Sequence, residues 1–148
     1  MADADGAPTA GATVQVWQTA SNQLYDVQDD TQPRGHLRAT FITDECGAYA
    51  FRTILPVSYP IPTDGPAGQF LQSLGRHPFR PARGHFLISA PRYRTLVTHL
   101  FLAGDKYLGS DAVFEAVPRR DAGPASGHAL GHRRLRARAG LRRSAGSW

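Results

Sequence analysis

The stretch ATVQVWQ at residues 12–18 alternates between two kinds of side chain with a period of two. Val14 and Val16 fall on one side of the alternation, whereas Thr13 and Gln15 fall on the other. Successive side chains of a β-strand point to opposite faces of a sheet. The stretch therefore predicts a strand with one buried face.

Runs of the same type follow along the chain, separated by turns rich in glycine and proline. HLRATFIT at 36–43 and AYAFRTI at 48–54 flank the turn signal DECG and predict a hairpin. GPAGQFLQSLG at 65–75 favours one short helix. Three further runs predict strands: HFLISA at 85–90, TLVTHLFLA at 95–103 and DAVFEAV at 111–117. Many short strands with marked turns predict an all-β fold, a β-sandwich with long loops.

Positive charge is concentrated at the C-terminal end of the sequence. The formal net charge is +5, and the eight Arg and one Asp of residues 118–148 give +7, which leaves −2 for residues 1–117. The C-terminal segment has few large apolar residues and no hydrophobic period, which is typical of disorder. We therefore expect a folded domain over 1–117 and a disordered Arg/Ala/Gly-rich tail over 118–148. Because charge runs alone specify little, a solvated tail is favoured over a nucleic-acid-binding arm.

Nothing in the sequence indicates a membrane or an oxidising compartment. No apolar run approaches the roughly 20 residues of a membrane span. The N-terminal MADADGAPTAG lacks the cationic and apolar regions of a signal peptide. The chain has one cysteine, Cys46, which cannot form an internal disulfide. These features predict a cytoplasmic protein without a membrane partner.

Four stretches carry the chemistry when they are taken together and in order. They are GATVQVWQ with LYDVQ at 24–28, YPIPTDGPAGQ at 59–69, GRHPFRPARGHF at 75–86, and LVTHLFLAGDKYLGSDAVF at 96–114. Together they resemble the intradiol ring-cleavage dioxygenases, and YDVQ, YPIP and SDAVF most resemble the members that act on hydroxyquinol. The resemblance runs from Gly6 to Val117. It implies that residues 1–117 form the catalytic β-sandwich in incomplete form, without the helical segment that carries the family's homodimer contact.

The resemblance also implies a metal site. In the family two tyrosinates and two histidines hold Fe(3+), and the matching residues here are Tyr25, Tyr59 and His85. Phenolate oxygen is a suitable ligand, because Fe(3+) is a hard and highly charged acid that favours anionic oxygen. By the same resemblance, Tyr59 is the ligand that leaves the metal and acts as a base. Arg80 would stabilise negative charge on the substrate, and His99 would contact the pocket.

One position departs from the family pattern, which has a histidine where this sequence has Arg83. Side chains two apart on a strand share a face, so Arg83 is predicted to point to the metal position beside His85. A guanidinium stays protonated and has no lone pair to give to a metal. Between the two, Gly84 stands in place of an apolar residue and is expected to loosen the strand.

Two hypotheses for the function remain open from the sequence. The first is Fe(3+)-dependent cleavage of hydroxyquinol or a related catechol, with insertion of both atoms of O2, in the breakdown of aromatic compounds. The second is a catalytically inactive β-sandwich, or a weak binding module, that has lost iron through Arg83. Iron content separates the two.

Limited proteolysis tests the predicted domain boundary. Trypsin should remove the Arg-rich end first and leave a resistant product that ends near residue 117, because an unpacked segment is accessible to the protease. After deletion of residues 118–148, the circular dichroism spectrum should show that the remaining chain is still folded. Protection of the tail, or loss of the fold on its deletion, would place the boundary elsewhere.

Overall fold

The main sheet of the molecule has four strands in the order β3-β2-β6-β7, and every neighbouring pair is antiparallel. The computed structural model describes residues 1–3 and 5–115, together with the strand at 140–141. Its elements are β1 (Ala2–Asp3), β2 (Thr13–Trp17), β3 (Arg38–Ile42), β4 (Tyr59–Pro60), α1 (Pro66–Ser73), β5 (Phe79–Arg80), β6 (Arg83–Ser89), β7 (Leu96–Phe101) and β8 (Gly140–Leu141). The predicted all-β class is confirmed.

Two short ladders accompany the main sheet. β4 pairs with β5 in antiparallel fashion, with Tyr59 opposite Arg80. β1 pairs with β8 in parallel, so Gly140 and Leu141 are in a strand although they lie within the segment that we expected to be disordered. The other residues from 118 onward lie outside the described residues, where disorder stays a prediction. In the described part of the chain, no helix has the length and apolar character needed to cross a membrane.

One face of the main sheet carries the hydrophobic core. Val14 and Val16 of β2 pack there against Phe86 and Ile88 of β6, and all four are buried. Partly buried side chains from β3, β7 and the loops surround this cluster: Met1, Phe41, Tyr49, Phe51, Ala90, Tyr93, Leu96 and Leu100. Because side chains alternate along a strand, the odd-numbered residues of β6, including Arg83 and His85, point to the opposite face.

The hairpin predicted from residues 36–54 is only half formed. The turn is present, since Asp44 Oδ1 accepts hydrogen bonds from the backbone of Cys46 and Ala48. Residues 48–54, however, form no strand. Phe51 instead stacks on Phe41 with the ring centroids 5.2 Å apart. The alternation at 48–54 is therefore satisfied by aromatic packing on β3 and not by a ladder of backbone hydrogen bonds.

The strand predicted at residues 111–117 is wrong over its described part, since residues 111–115 contain no strand and the chain turns at 112–114. Asp111 explains the change, because its carboxylate accepts hydrogen bonds from the backbone N–H groups of Val113 and Glu115. Side-chain to backbone bonds of this kind compete with a sheet ladder. The predicted helix is confirmed, and it runs from Pro66 to Ser73 with proline in its first turn.

A glycine in β6 gives a test of the fold. A Cβ added at Gly84 would meet Phe86 Cε2 at 3.4 Å, which is ordinary contact, and the φ of Gly84 lies outside the left-handed region. Gly84→Ala should therefore raise the free energy of unfolding by about 0.5–1 kcal/mol, because alanine reduces the entropy of the unfolded chain. Urea denaturation measures the change.

Gly104 is the matched control, since it has open space around it but a φ of +83°. Gly104→Ala should lower the free energy of unfolding, because alanine is strained at positive φ. A loss of stability from Gly84→Ala would show that β6 cannot accept a side chain at this position.

Candidate active site

The strand register places four side chains in one row on the face of the sheet that points away from the core. Trp17 lies opposite Arg38 on one side and His85 on the other, and His85 lies opposite His99. The rings of Trp17 and His85 stack at a centroid distance of 5.1 Å, while His85 and His99 meet edge to face at 4.5 Å. The guanidinium of Arg38 lies 5.4 Å from the centre of the Trp17 ring. His85 is thus held in orientation by a ring on each side.

Two tyrosines reach the same face from outside the main sheet. Tyr25 comes from the loop between β2 and β3, and Tyr59 begins β4. A hydrogen bond of 2.7 Å joins the Tyr25 hydroxyl to His85 Nε2. The Tyr25 and Tyr59 rings meet edge to face with their centroids 5.3 Å apart. The structure therefore brings together the three residues predicted as metal ligands.

Arg83 also lies in this group, as the two-residue spacing from His85 predicted. It is 2% exposed. Its Nη2 donates a hydrogen bond to the Tyr59 hydroxyl, and its Nη1 donates to Glu115 Oε2 at 3.1 Å. The guanidinium carbon lies 5.3 Å from the centre of the Tyr59 ring and 5.7 Å from that of Phe101. A fixed positive charge is therefore buried against one of the predicted metal ligands.

Arg80 lies at the edge of the group and is bound by two carboxylates. Its Nε and Nη2 donate to the two oxygens of Asp111 at 3.2 and 3.3 Å, and Nη2 also donates to Glu115. Glu115 Oε1 is 2.7 Å from His99 Nδ1. Because an ionised carboxylate has only acceptors, His99 carries a proton on Nδ1 and donates it. Glu115 thus joins Arg80, Arg83 and His99. No motif in the sequence pointed to a role for Glu115 or Asp111.

Burial and the two arginines set the charge state of the histidines. Burial lowers the pKa of His85 from 6.5 to about 3, and the positive charge of Arg83 adds to this effect. The pKa of His99 is also lowered by burial, although Glu115 opposes the shift. Both imidazoles are therefore neutral near pH 7. At that pH the guanidiniums of Arg80 and Arg83 carry the positive charge of the group.

The acidic groups respond to the same surroundings. Burial raises the pKa of Tyr25 well above its usual value, and the neighbouring Tyr59 adds to the rise, while Arg83 opposes it. Burial also raises the pKa of Glu115, but hydrogen bonding to Arg80 and the nearby positive charges outweigh it, so the net shift is downward. At neutral pH and without a metal ion, Tyr25 is a neutral phenol and Glu115 is a carboxylate.

The donor set can be compared with what Fe(3+) requires. Tyr25, Tyr59 and His85 offer oxygen and nitrogen donors from one face, but the fourth position is taken by the guanidinium of Arg83. The residues present therefore do not fit a four-ligand ferric site.

Comparison with known proteins places these features in a family. Residues 1–134 match the Dioxygenase_C family model, described as dioxygenase. The chain is 52% identical over 113 residues to hydroxyquinol 1,2-dioxygenase of Rhizobium sp. strain MTP-10005. The matched region covers 76% of this chain and 38% of the relative. It is 44% identical over 115 residues to catechol 1,2-dioxygenase of Candida albicans strain SC5314, covering 77% of this chain and 38% of the relative.

Solved structures agree with the sequence relatives. Hydroxyquinol 1,2-dioxygenase from Pseudomonas putida DLL-E4 superposes with a TM-score of 0.73 at 54% identity, over 76% of this chain and 40% of that one. Catechol 1,2-dioxygenase from Pseudomonas arvilla C-1 gives a TM-score of 0.75 at 38% identity, over 95% of this chain and 47% of that one. The predicted β-sandwich is therefore confirmed, and the chain spans less than half the length of these proteins.

The pKa of His85 can be tested by NMR on iron-free protein. Its ring resonances should stay unchanged from pH 7 to about pH 5, because its pKa of about 3 lies below that range. Between pH 6.5 and about 3 the unfolded chain binds a proton that the folded chain does not, so this residue makes stability fall as pH falls through that window.

The variant Arg83→Gln separates the two causes of the shift. It should raise the pKa of His85, because a nearby positive charge is removed, but leave it below 6.5, because burial is the larger cause. A His85 ring that titrates near 6.5 in the unmodified chain would show that the ring is solvated and that the described packing is wrong.

Proposed function

Since the chain belongs to the intradiol ring-cleavage dioxygenase family, we propose that its site is that of an Fe(3+)-dependent enzyme for catecholic diols, altered so that it binds iron weakly. The substrate class is hydroxyquinol or a related catechol, with O2 as the second substrate. Support for the substrate class comes from the relatives, which include hydroxyquinol and catechol 1,2-dioxygenases. The observation that carries the proposal is the buried Arg83 guanidinium bonded to Tyr59.

The first reason for weak binding is electrostatic. Two like unit charges about 4 Å apart repel by about 4 kcal/mol at an effective dielectric constant of about 20. A ferric ion carries three positive charges, so its repulsion by an adjacent guanidinium is larger. Arg83 cannot relieve this by losing its proton, because arginine stays protonated in proteins. A ferric ion can therefore enter only if Arg83 swings out of its buried position.

The second reason is the loss of donor lone pairs. The Tyr59 oxygen already accepts a hydrogen bond from Arg83, and the Tyr25 hydroxyl already shares one with His85. The raised pKa of Tyr25 also means that the metal must displace a tightly held proton. Tyr25, Tyr59 and His85 remain the side chains that we propose for iron, but all three are engaged with other partners in this chain.

The residues proposed to act on the substrate are engaged in the same way. Arg80, which we propose offsets negative charge on the bound diol, is already paired with Asp111 and Glu115. His99, which we propose contacts the pocket, donates to Glu115. An arginine that is neutralised by carboxylates stabilises developing charge less than a free one. Glu115 therefore reduces the ability of Arg80 to stabilise the substrate, as Arg83 reduces the affinity of the site for iron.

A catalytically inactive β-sandwich is the second candidate function. It is favoured by the same guanidinium, which is buried, lies near the Tyr59 and Phe101 rings and has Glu115 as its carboxylate partner. A buried charge that loses its partner destabilises a protein by up to several kcal/mol. Iron binding that required Arg83 to leave Glu115 would carry that cost.

Metal analysis of the purified chain tests the proposal. Supplied with excess ferric iron and then desalted, the protein should hold less than one iron per chain and consume little O2 with hydroxyquinol or catechol. The reason is the three-donor set with a positive charge in the fourth position. Full occupancy, with the visible absorption of iron-bound phenolate and steady O2 uptake, would contradict it.

Replacing the arginine should restore the metal site. Arg83→His removes the repulsion and supplies a nitrogen donor on the same face as His85, so iron affinity should rise at least about tenfold, equivalent to about 1.4 kcal/mol. Equilibrium dialysis with a competing chelator measures it.

The control for this substitution is Arg94→His. Arg94 is exposed in the loop before β7, so the variant makes the same chemical change away from the site. It should leave iron affinity unchanged. Equal affinities for the Arg83→His variant and the unmodified chain would mean that Arg83 does not limit metal binding.

A further inference from the structure

The side chain of Glu115 is held as a bound carboxylate ligand would be. Its Oε2 accepts from Arg83 Nη1 at 3.1 Å and also from Arg80 Nη2. Its Oε1 accepts from His99 Nδ1 at 2.7 Å. Both carboxylate oxygens therefore accept hydrogen bonds. The donors are the cations Arg80 of β5 and Arg83 of β6, and the neutral His99 of β7. Charged hydrogen bonds of this kind are the usual basis of carboxylate recognition.

Arg83 requires an anion at this position. Its guanidinium is buried and permanently charged, and the Tyr59 side chain to which it bonds is a hydroxyl and not a carboxylate. Within the described residues, Arg83 forms its ion pair with Glu115, and its Nε has no hydrogen-bond partner. A buried charge without a counter-charge is costly, so the pocket around Arg83 favours a carboxylate from any source.

Glu115 is suited to leave this position. Its side chain is 38% exposed, whereas that of Arg83 is 1% exposed. It directly follows the turn at 112–114, outside the main sheet, and its backbone N–H donates to the carboxylate of Asp111. Residues that are exposed and carried on turns move more easily than residues in a packed strand.

The geometry points to a metal-free carboxylate-binding site, formed by Arg80, Arg83 and His99, that holds Glu115 as an internal ligand. A small external carboxylate takes the same place when Glu115 is withdrawn. This goes beyond ring cleavage, because it needs neither iron nor O2. It also gives Arg83 a role of its own, as the buried cation at the centre of an anion site.

The variant Glu115→Ala tests the site directly. It removes the CH2–COO⁻ part of the side chain, and acetate has nearly the same size and charge as the part removed. Isothermal titration calorimetry should show that the full-length variant binds acetate at least about tenfold more tightly than the unmodified chain, because the internal ligand no longer competes. Chloride keeps the ionic strength constant, and the protein is treated with chelator first.

Three comparisons make the result specific. Acetamide has the shape of acetate without its charge and should not bind. Adding Arg83→Gln to Glu115→Ala should weaken acetate binding at least about tenfold. Glu45→Ala removes an exposed carboxylate of the 44–47 turn, away from the three donors, and should bind acetate no better than the unmodified chain.

The outcome is decisive in either direction. Equal binding of acetate and acetamide, or acetate binding that survives Arg83→Gln, would overturn the inference. If circular dichroism shows that Glu115→Ala does not fold, Glu115→Gln gives the same test, because a neutral amide competes less well than a carboxylate. All these measurements are made on iron-free protein, so they are independent of the test by iron content.

Discussion

The hydrogen bond from the buried guanidinium of Arg83 to the hydroxyl of Tyr59 is the constraint on which the site depends. The register of β6 is fixed by Phe86 and Ile88 in the core, so Arg83 leaves the strand on the other face, which also carries His85. Its guanidinium lies there among the side chains proposed for iron, and a ferric ion could enter only if the Arg83 side chain changed its rotamer. Glu115 and the Tyr59 hydroxyl both bond to that charge, and Glu115 in turn bonds to Arg80 and His99, so one guanidinium links the residues of the site.

Much of this could be predicted from the sequence where a simple geometric rule applied. The period of two predicted β2, β3, β6 and β7, and the two-residue spacing of Arg83 and His85 predicted their common face. The rule failed at residues 48–54, because alternation shows only which side chains share a face. It cannot show whether the backbone pairs with a neighbour or the rings of Tyr49 and Phe51 simply pack on Phe41.

The remaining parts of the site could not be predicted, because they join positions that are distant in the sequence. Glu115 lies 32 residues from Arg83 and comes from a segment that was predicted to be a strand. Its position depends on Asp111, whose carboxylate binds the backbone of the same turn. No rule of sequence spacing connects an acidic residue beside a turn to two arginines in the distant strands β5 and β6. The stacking of Trp17 on His85 likewise follows from a register that only the folded sheet defines.

The most direct test of this account is a crystal structure of the unmodified chain grown with excess ferric iron, with diffraction data collected at the iron absorption edge. We expect at most a weak anomalous peak between Tyr25, Tyr59 and His85, well below full occupancy, and clear density for the Arg83 guanidinium against Tyr59. An anomalous peak of full occupancy within bonding distance of those three side chains, with Arg83 turned away from Tyr59, would contradict the claim that this arginine weakens iron binding.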